Sequence, residues 1–506
     1  MTDEKATAMT QEQASAQAQP EPATTTIDET TPTMQRRRHF ARQLEQFGDA
    51  TALVLNDGQT ISYQKLAHLA DHFAQNFVRF DVWPQQICAL QCRNNLTSVV
   101  AYLSCLRHQR PLLLLDPALP KTQVDALIQR LEIAALISEQ GEMTRVSTTA
   151  FRARADLALL LSTSGSTGSP KSVMLSQVNL QANALSISQY LPMLASDTAI
   201  SALPLHYSYG LSVLNSHLLI GAKIVLTDYS VMNKEFWQLM NQHQVTSLAG
   251  VPFSYQMLKT LRFERLPLPA IRYLTQAGGK LTSELTHYVQ QLSQQRQIPV
   301  FLMYGQTEAT ARIAYLPAEF LPRHADCIGT AIPGGELLLR EPQDRTIIDK
   351  ELTTGELCYR GANVMLGYAS NSAELRANLQ LDELATGDLA ERLPNGFYRI
   401  LGRLNRMVKL QGKRWTLDHV EAMFGTQGLK VVCTGRDDLL IVAVIDTNAA
   451  SDAPSKVTQY LQQQLHLHPS LFKVVLLRDI PYTSSGKVHY QAIFNLACGG
   501  NADAAS

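Results

Sequence analysis

Leu159-Leu160-Leu161-Ser162-Thr163-Ser164-Gly165-Ser166-Thr167-Gly168-Ser169-Pro170-Lys171 is the stretch on which the reading of the whole chain turns. The leucines predict a buried strand, and the strand empties into a loop of small hydroxylated residues closed by a lysine. Small residues let backbone N–H groups approach a polyphosphate, hydroxyls add donors, and the lysine supplies charge. The pattern is not the P-loop of the common nucleotide hydrolases, because Pro170 stands where that pattern requires Gly before the Lys. A flexible linker shares the composition. A linker does not usually stand between an apolar strand and an apolar-periodic helix, which the sequence predicts from about Leu175.

Working outward, strand-like runs at 51–55, 87–90 and 111–115 alternate with helix patterns at 63–80 and 96–107. The rhythm returns with strands at 199–203, 223–226, 247–251, 271–275 and 300–303. This alternation predicts an α/β architecture: a large N-terminal domain of mixed, mostly parallel sheets flanked by helices. Residues 355–368 are strand-rich and predict a smaller β unit, and past Gly402 a separate α+β block follows, with 439–445 its clearest strand. The expected division is an arm at 1–35, a large domain at 36–402 and a small C-terminal domain at 403–506. The arm is Ala, Thr, Gln, Glu and Pro with almost nothing large and apolar, a composition that predicts disorder.

Lys+Arg and Asp+Glu balance at 44 each in 506 residues, so no overall field attracts nucleic acid or an anionic membrane. No apolar run approaches the ~20 residues that span a bilayer, and the N-terminus is polar and acidic where a signal peptide is basic and then apolar. Seven scattered cysteines fit reduced thiols, and the expected location is the cytoplasm. Cys88 and Cys92 lack the spacing and companions of a zinc site and read as buried small hydrophobes.

The loop at 162–171 resembles the signature phosphate loop of the adenylate-forming superfamily, which includes acyl- and aryl-CoA synthetases, stand-alone adenylation enzymes that load carrier proteins, and luciferases. Ser172 departs from it, since a glycine commonly follows the lysine. The resemblance continues in order from about Phe40 to Tyr490. Tyr304-Gly305-Gln306-Thr307-Glu308 resembles the family's adenine- and metal-binding segment, where an aromatic ring stacks on adenine, Thr307 donates to the α-phosphate and Glu308 holds Mg²⁺. Thr386-Gly387-Asp388 resembles the ribose site, where the carboxylate accepts from both sugar hydroxyls. Gly402-Arg403-Leu404-Asn405-Arg406 resembles the hinge before a mobile small domain, with Arg403 near the ribose and Asn405 where the family most often has Asp. Pro481 to Val488 resembles the segment that delivers the adenylation lysine, here Lys487.

The resemblance implies in-line attack of a small carboxylic acid on the α-phosphorus of ATP, with Thr163, Ser164, Gly165, Ser166, Thr167, Gly168, Lys171 and Gly279 on the nucleotide. His206, in Leu203-Pro204-Leu205-His206-Tyr207-Ser208-Tyr209-Gly210, is expected near the acyl site. Tyr207, Tyr209, Phe253, Ala277 and Gly278 are expected to line the acid pocket. Amino-acid-activating relatives usually carry Asp where Gly210 is placed, so a fatty or aryl acid without an α-amino group is expected. The acceptor is a phosphopantetheine thiol. The stretch from Met407 to Arg414, followed by Glu421, resembles carrier-protein loaders slightly more than CoA ligases. An amino-acid-activating carrier-protein ligase is one alternative, and a non-catalytic acyl-AMP sensor or degenerate paralogue, which Asn405 and Ser172 keep open, is the other.

Overall fold

The computed structural model describes residues 39–162, 171–378, 381–411, 413–425, 427–446, 452–482 and 488–498. Among them the chain forms five sheets. The largest, nine-stranded, has a parallel centre built from Thr51–Val54, Lys223–Val225, Thr198–Ile200, Ser247–Gly250, Tyr273–Gln276 and Val300–Tyr304, with antiparallel strands added at each side. The second, seven-stranded, carries Leu157–Ser162 beside Leu112–Leu115 and Cys88–Gln91. Leu112–Leu115 is buried at every position, which is why it reads as an unbroken apolar run rather than an alternating one. Each such leucine contributes about 1.5–3 kcal/mol relative to exposure.

Helices Tyr63–Phe73, Leu96–Arg107 and Ser208–Ile220 contribute to one hydrophobic cluster that also takes in strands of both large sheets. Leu96–Arg107 spans the predicted residues and starts at Asn95, whose side chain accepts from the Ser98 N–H. The helix expected over 63–80 is instead two, Tyr63–Phe73 and Gln75–Arg79, divided by a tightened turn in which the Ala74 N–H bonds the Asp71 carbonyl.

The helix expected from Leu175 begins later. Ser172–Ser176 is a fully buried strand, paired antiparallel with Leu157–Ser162, and the helix is Gln177–Tyr190, opened by a capping box between Ser176 and Asn179. The hairpin pairing overrides the apolar periodicity. It also sets Ser162 opposite Ser172, so the two ends of the loop are pinned together.

A four-stranded antiparallel sheet follows, made of Gly335–Arg340, Gly355–Gly361, Leu384–Arg392 and Tyr398–Arg403. From Met407 the chain makes a hairpin, the helix Leu417–Gly425 and a three-stranded sheet that includes the predicted Leu439–Ile445. The hydrophobic clusters formed here draw only on residues after Arg406. Cys88 and Cys92 are buried, and no helix among the described residues is long and apolar enough to cross a membrane.

Candidate active site

Val300–Tyr304 ends at the carboxyl edge of the parallel sheet, and the chain then turns at Gly305. A Cβ at Gly305 would lie 1.9 Å from the Ala311 carbonyl oxygen, so only glycine permits the turn. The turn delivers Tyr304, whose hydroxyl donates to the Asp388 carboxylate. Asp388 pairs on its other oxygen with Arg403 Nε at 2.9 Å. Both partners come from one antiparallel ladder, in which Asp388 stands directly opposite Arg403. The Asp388 side chain is 5% exposed, and burial pushes its carboxyl above the usual carboxylate range while Arg403 and Tyr304 pull it back. Tyr304 is held well above the ordinary phenol value by burial and then by the Asp388 charge.

The residues expected on the phosphate side are brought together by a different sheet. Gly367–Ala369 pairs antiparallel with Ser172–Ser176, which sets Tyr368 opposite Val173, just past the loop lysine. The Lys171 ammonium lies 5.7 Å from the centre of the Tyr368 ring, and the Tyr368 hydroxyl donates to Glu308 Oε1 at 2.7 Å. The loop's lysine and the expected metal carboxylate are thus joined through one aromatic side chain. Burial and the Glu308 charge push the Tyr368 phenol up. Glu308 keeps a second carboxylate oxygen, the hard donor that Mg²⁺ takes when substrate phosphates supply the rest of its shell. Tyr368 was not singled out in the sequence. Its role depends on a strand pairing nearly two hundred residues apart in the chain, which no local pattern announces. Thr163, Ser164, Gly165, Ser166, Thr167, Gly168 and Lys487 lie outside the described residues.

On the acid side, Thr307 Oγ1 lies 3.3 Å from Ser208 Oγ at the start of the helix Ser208–Ile220. His206, two residues earlier, faces Cys92 and Asp116: Nδ1 is 3.3 Å from the Cys92 carbonyl oxygen, and Nε2 is 3.7 Å from Asp116. Burial lowers its pKa more than Asp116 and the Cys92 carbonyl raise it, which favours the neutral ring. Tyr207 and Tyr209 pack edge to face at 6.3 Å, with Ala277 in the same cluster. The Tyr207 hydroxyl closes over Gly278, where a Cβ would come within 2.6 Å of it. The Tyr209 hydroxyl is 2.9 Å from Thr275 Oγ1, and Gly279 abuts Pro252.

Phe253 and Gly210 are placed differently from the other residues expected on the acid side. Phe253 is 47% exposed and stands outside the cluster that holds Tyr207, Tyr209 and Ala277. Gly210 lies in the helix against the preceding chain, where a Cβ would be 2.3 Å from the Pro204 carbonyl oxygen. Helix packing alone demands glycine there, so the missing carboxylate at 210 says nothing about an α-amino group.

One residue that the sequence did not flag sits in this region. Arg312 is 1% exposed, with Nη1 3.1 Å from Tyr190 Oη and 2.6 Å from Met303 Sδ, and Nη2 3.1 Å from Ser212 Oγ. Its guanidinium lies 4.4 Å from the centre of the Tyr209 ring. An arginine inside the otherwise small and apolar run from Ala309 to Leu316 was the available signal.

At the expected hinge, Asp418 accepts from the Arg403 N–H at 3.1 Å and pairs with Arg406. Arg406 also donates to Glu421 at 2.7 Å and to Tyr490 Oη at 2.8 Å, with its guanidinium 3.9 Å from the Tyr490 ring centre. Glu421, raised by burial, accepts from the Cys433 N–H as well. It therefore ties the hinge segment together inside the C-terminal unit.

The sequence pattern of the AMP-binding enzyme family matches residues 40–152 and 143–369. An oxalate–CoA ligase of Arabidopsis thaliana is 22% identical over 89% of this chain and 96% of its own length. A 2-succinylbenzoate–CoA ligase of Bacillus subtilis is 25% identical over 86% and 93%. Tyrocidine synthase 2 of Brevibacillus parabrevis is 26% identical over 90% of this chain, which spans only 13% of that much longer protein. Among solved structures, the Bacillus subtilis o-succinylbenzoate CoA synthetase in complex with ATP and magnesium superposes with a TM-score of 0.74 at 22% identity, covering 90% of this chain and 99% of that one. ATP-bound MatB of Rhodopseudomonas palustris gives 0.73 at 22% identity, covering 90% and 98%. The chain has the adenylate-forming fold, and by its match over most of the large N-terminal portion it belongs to the AMP-binding enzyme family.

Proposed function

We propose that the protein is an AMP-forming acid–thiol ligase: it joins a carboxylic acid without an α-amino group to AMP, releasing pyrophosphate, and then passes the acyl group to a phosphopantetheine thiol. The observation that carries this reading is the almost buried Asp388 carboxylate, held between the Tyr304 hydroxyl and the Arg403 guanidinium. A buried carboxylate on an antiparallel strand, hydrogen-bonded to an aromatic residue at the end of a parallel sheet, is the chemistry that a ribose with its base requires.

In this reading the Tyr304 ring stacks on adenine and Asp388 exchanges part of its present bonding for the ribose hydroxyls. The loop at 163–168 with Lys171 cradles the polyphosphate, and Thr307 donates to the α-phosphate. Glu308 would hold Mg²⁺, which would supply positive charge against the polyphosphate. A carboxylate oxygen of the acid attacks the α-phosphorus, and the bond to the pyrophosphate oxygen breaks on the opposite side. Lys487, carried by the unit at 403–506, neutralises charge on the α-phosphate as it develops. Rotation of that unit about Arg403 to Arg406 then admits the thiol, which attacks the acyl carbon and releases AMP. His206, neutral and held by Cys92 and Asp116, flanks the acyl carbon.

A buried cation at Arg312 opposes an α-ammonium group nearby, and this now supports a non-amino acid in place of the argument from Gly210. For the acceptor, the match along nearly the full length of two CoA ligases supports testing CoA before a carrier protein. The test of the reading is acid-dependent exchange of labelled pyrophosphate into ATP across fatty, aryl, dicarboxylic and amino acids. Exchange with a non-amino acid is expected. Exchange with amino acids alone overturns the substrate class, and no exchange despite ATP binding favours a sensor.

A further inference from the structure

We infer that Arg312 holds a second carboxylate of the substrate, so that the enzyme activates one end of a short dicarboxylic acid. The inference rests on the ligase reading above and assigns its substrate class. Arg312 is buried, and among the described residues none of its partners is a carboxylate: Tyr190, Met303 and Ser212 take its hydrogen bonds, and its guanidinium lies over the Tyr209 ring. A buried charge with only neutral neighbours is costly, and proteins retain one where a ligand completes the pair. The Tyr209 hydroxyl is engaged with Thr275, so it does not supply the missing charge.

The donors left over have the right arrangement. Nη1 serves Tyr190 and the weak acceptor Met303 Sδ, while Nη2 serves Ser212. Among the described residues Nε–H has no acceptor, and Nη2, bonded to Ser212, carries a second N–H. Nε and Nη2 share one edge of the planar fork, the edge that a carboxylate takes with both oxygens.

The helix Ser208–Ile220 measures the distance to the reacting end. Ser208 touches Thr307, and Ser212, one turn further on the same face, holds Arg312. Four residues rise about 6 Å. An acid whose first carboxylate meets the α-phosphate beside Thr307 therefore places its second beside Arg312 when only a few carbons separate them, as in succinate or glutarate.

The test is pyrophosphate exchange with length-matched pairs: succinate against butyrate, glutarate against pentanoate, and adipate against hexanoate. The wild-type protein is expected to prefer one of the shorter diacids over its monoacid by about a hundredfold in kcat/KM. Arg312→Met is expected to abolish or reverse that preference while retaining exchange with the monoacid, and Arg312→Lys, which keeps charge but loses the fork, to fall between. Should Arg312→Met fail to fold, the wild-type preference and Arg312→Lys decide the matter. Exchange that favours monoacids, or a diacid preference unchanged in the variants, overturns the role of Arg312 and leaves the ligase reading standing. Absence of exchange with every acid overturns the ligase reading itself.

Discussion

At the proposed nucleotide end of the site, Tyr304, Asp388 and Arg403 form a connected chain of hydrogen bonds, whereas at the proposed acid end Arg312 is buried with a donor to spare among the described residues. The turn after Val300–Tyr304 lies between them, with Tyr304 before it and Arg312 after it, yet among the described residues one end is internally satisfied and the other is not. The difference separates what all members of a fold must bind from what one of them selects. A cofactor shared across a family can be met by groups that also satisfy one another in its absence. A selected substrate is recognised by a group that stays costly until that substrate arrives.

The largest effect expected from breaking this comparison lies at neither end. Lys487→Ala is predicted to slow pyrophosphate exchange by two to three decades, about 3–4 kcal/mol of barrier, while thioester formation from supplied acyl-AMP changes little. At the nucleotide end, Asp388→Ala should raise the KM for ATP by about 30- to 100-fold, the loss of charge-assisted bonds to a sugar. At the acid end, Gly210→Ala forces a methyl against the Pro204 carbonyl and should cost about 1–3 kcal/mol of stability, read as a lowered Tm without a new preference for amino acids. Tyr304→Phe should weaken ATP binding by about tenfold or less.

The pH dependence of the nucleotide end has a definite sign. Burial raises the Asp388 carboxyl, so ATP affinity should fall on acidification at a pH above that of an ordinary aspartate. Arg403 pulls that carboxyl down, and Arg403→Gln should move the loss of affinity to still higher pH, measured by titration calorimetry across a pH series. A shift to lower pH would contradict the pairing. Smallest of all, removal of residues 1–35 should leave exchange unchanged.

The residues proposed for the nucleotide end were named from short contiguous motifs, and the structure brings Tyr304, Asp388 and Arg403 together. Tyr304, Thr307 and Glu308 share one turn, and Asp388 and Arg403 lie on adjacent strands. The strand rhythm was legible for the same reason, since parallel strands buried on both faces are continuous apolar runs, as at Leu112–Leu115. The start of the helix at Gln177 was misplaced because its upstream residues are equally apolar and belong to a hairpin set by distant pairing. Tyr368 and Arg312 escaped for a related reason. Each owes its place to partners far along the chain, Glu308 for one and Tyr190 with Ser212 for the other. Gly210 was seen but misread, because a residue absent from a pocket and a residue excluded by packing look alike in sequence.

The central claim, that the acid attacks the α-phosphorus and leaves as an adenylate, is tested most directly with an acid carrying heavy oxygen in its carboxylate. After one turnover with ATP, Mg²⁺ and a thiol acceptor, AMP should carry one labelled oxygen and pyrophosphate none. Label recovered in inorganic phosphate, with ADP as the nucleotide product, would contradict the account.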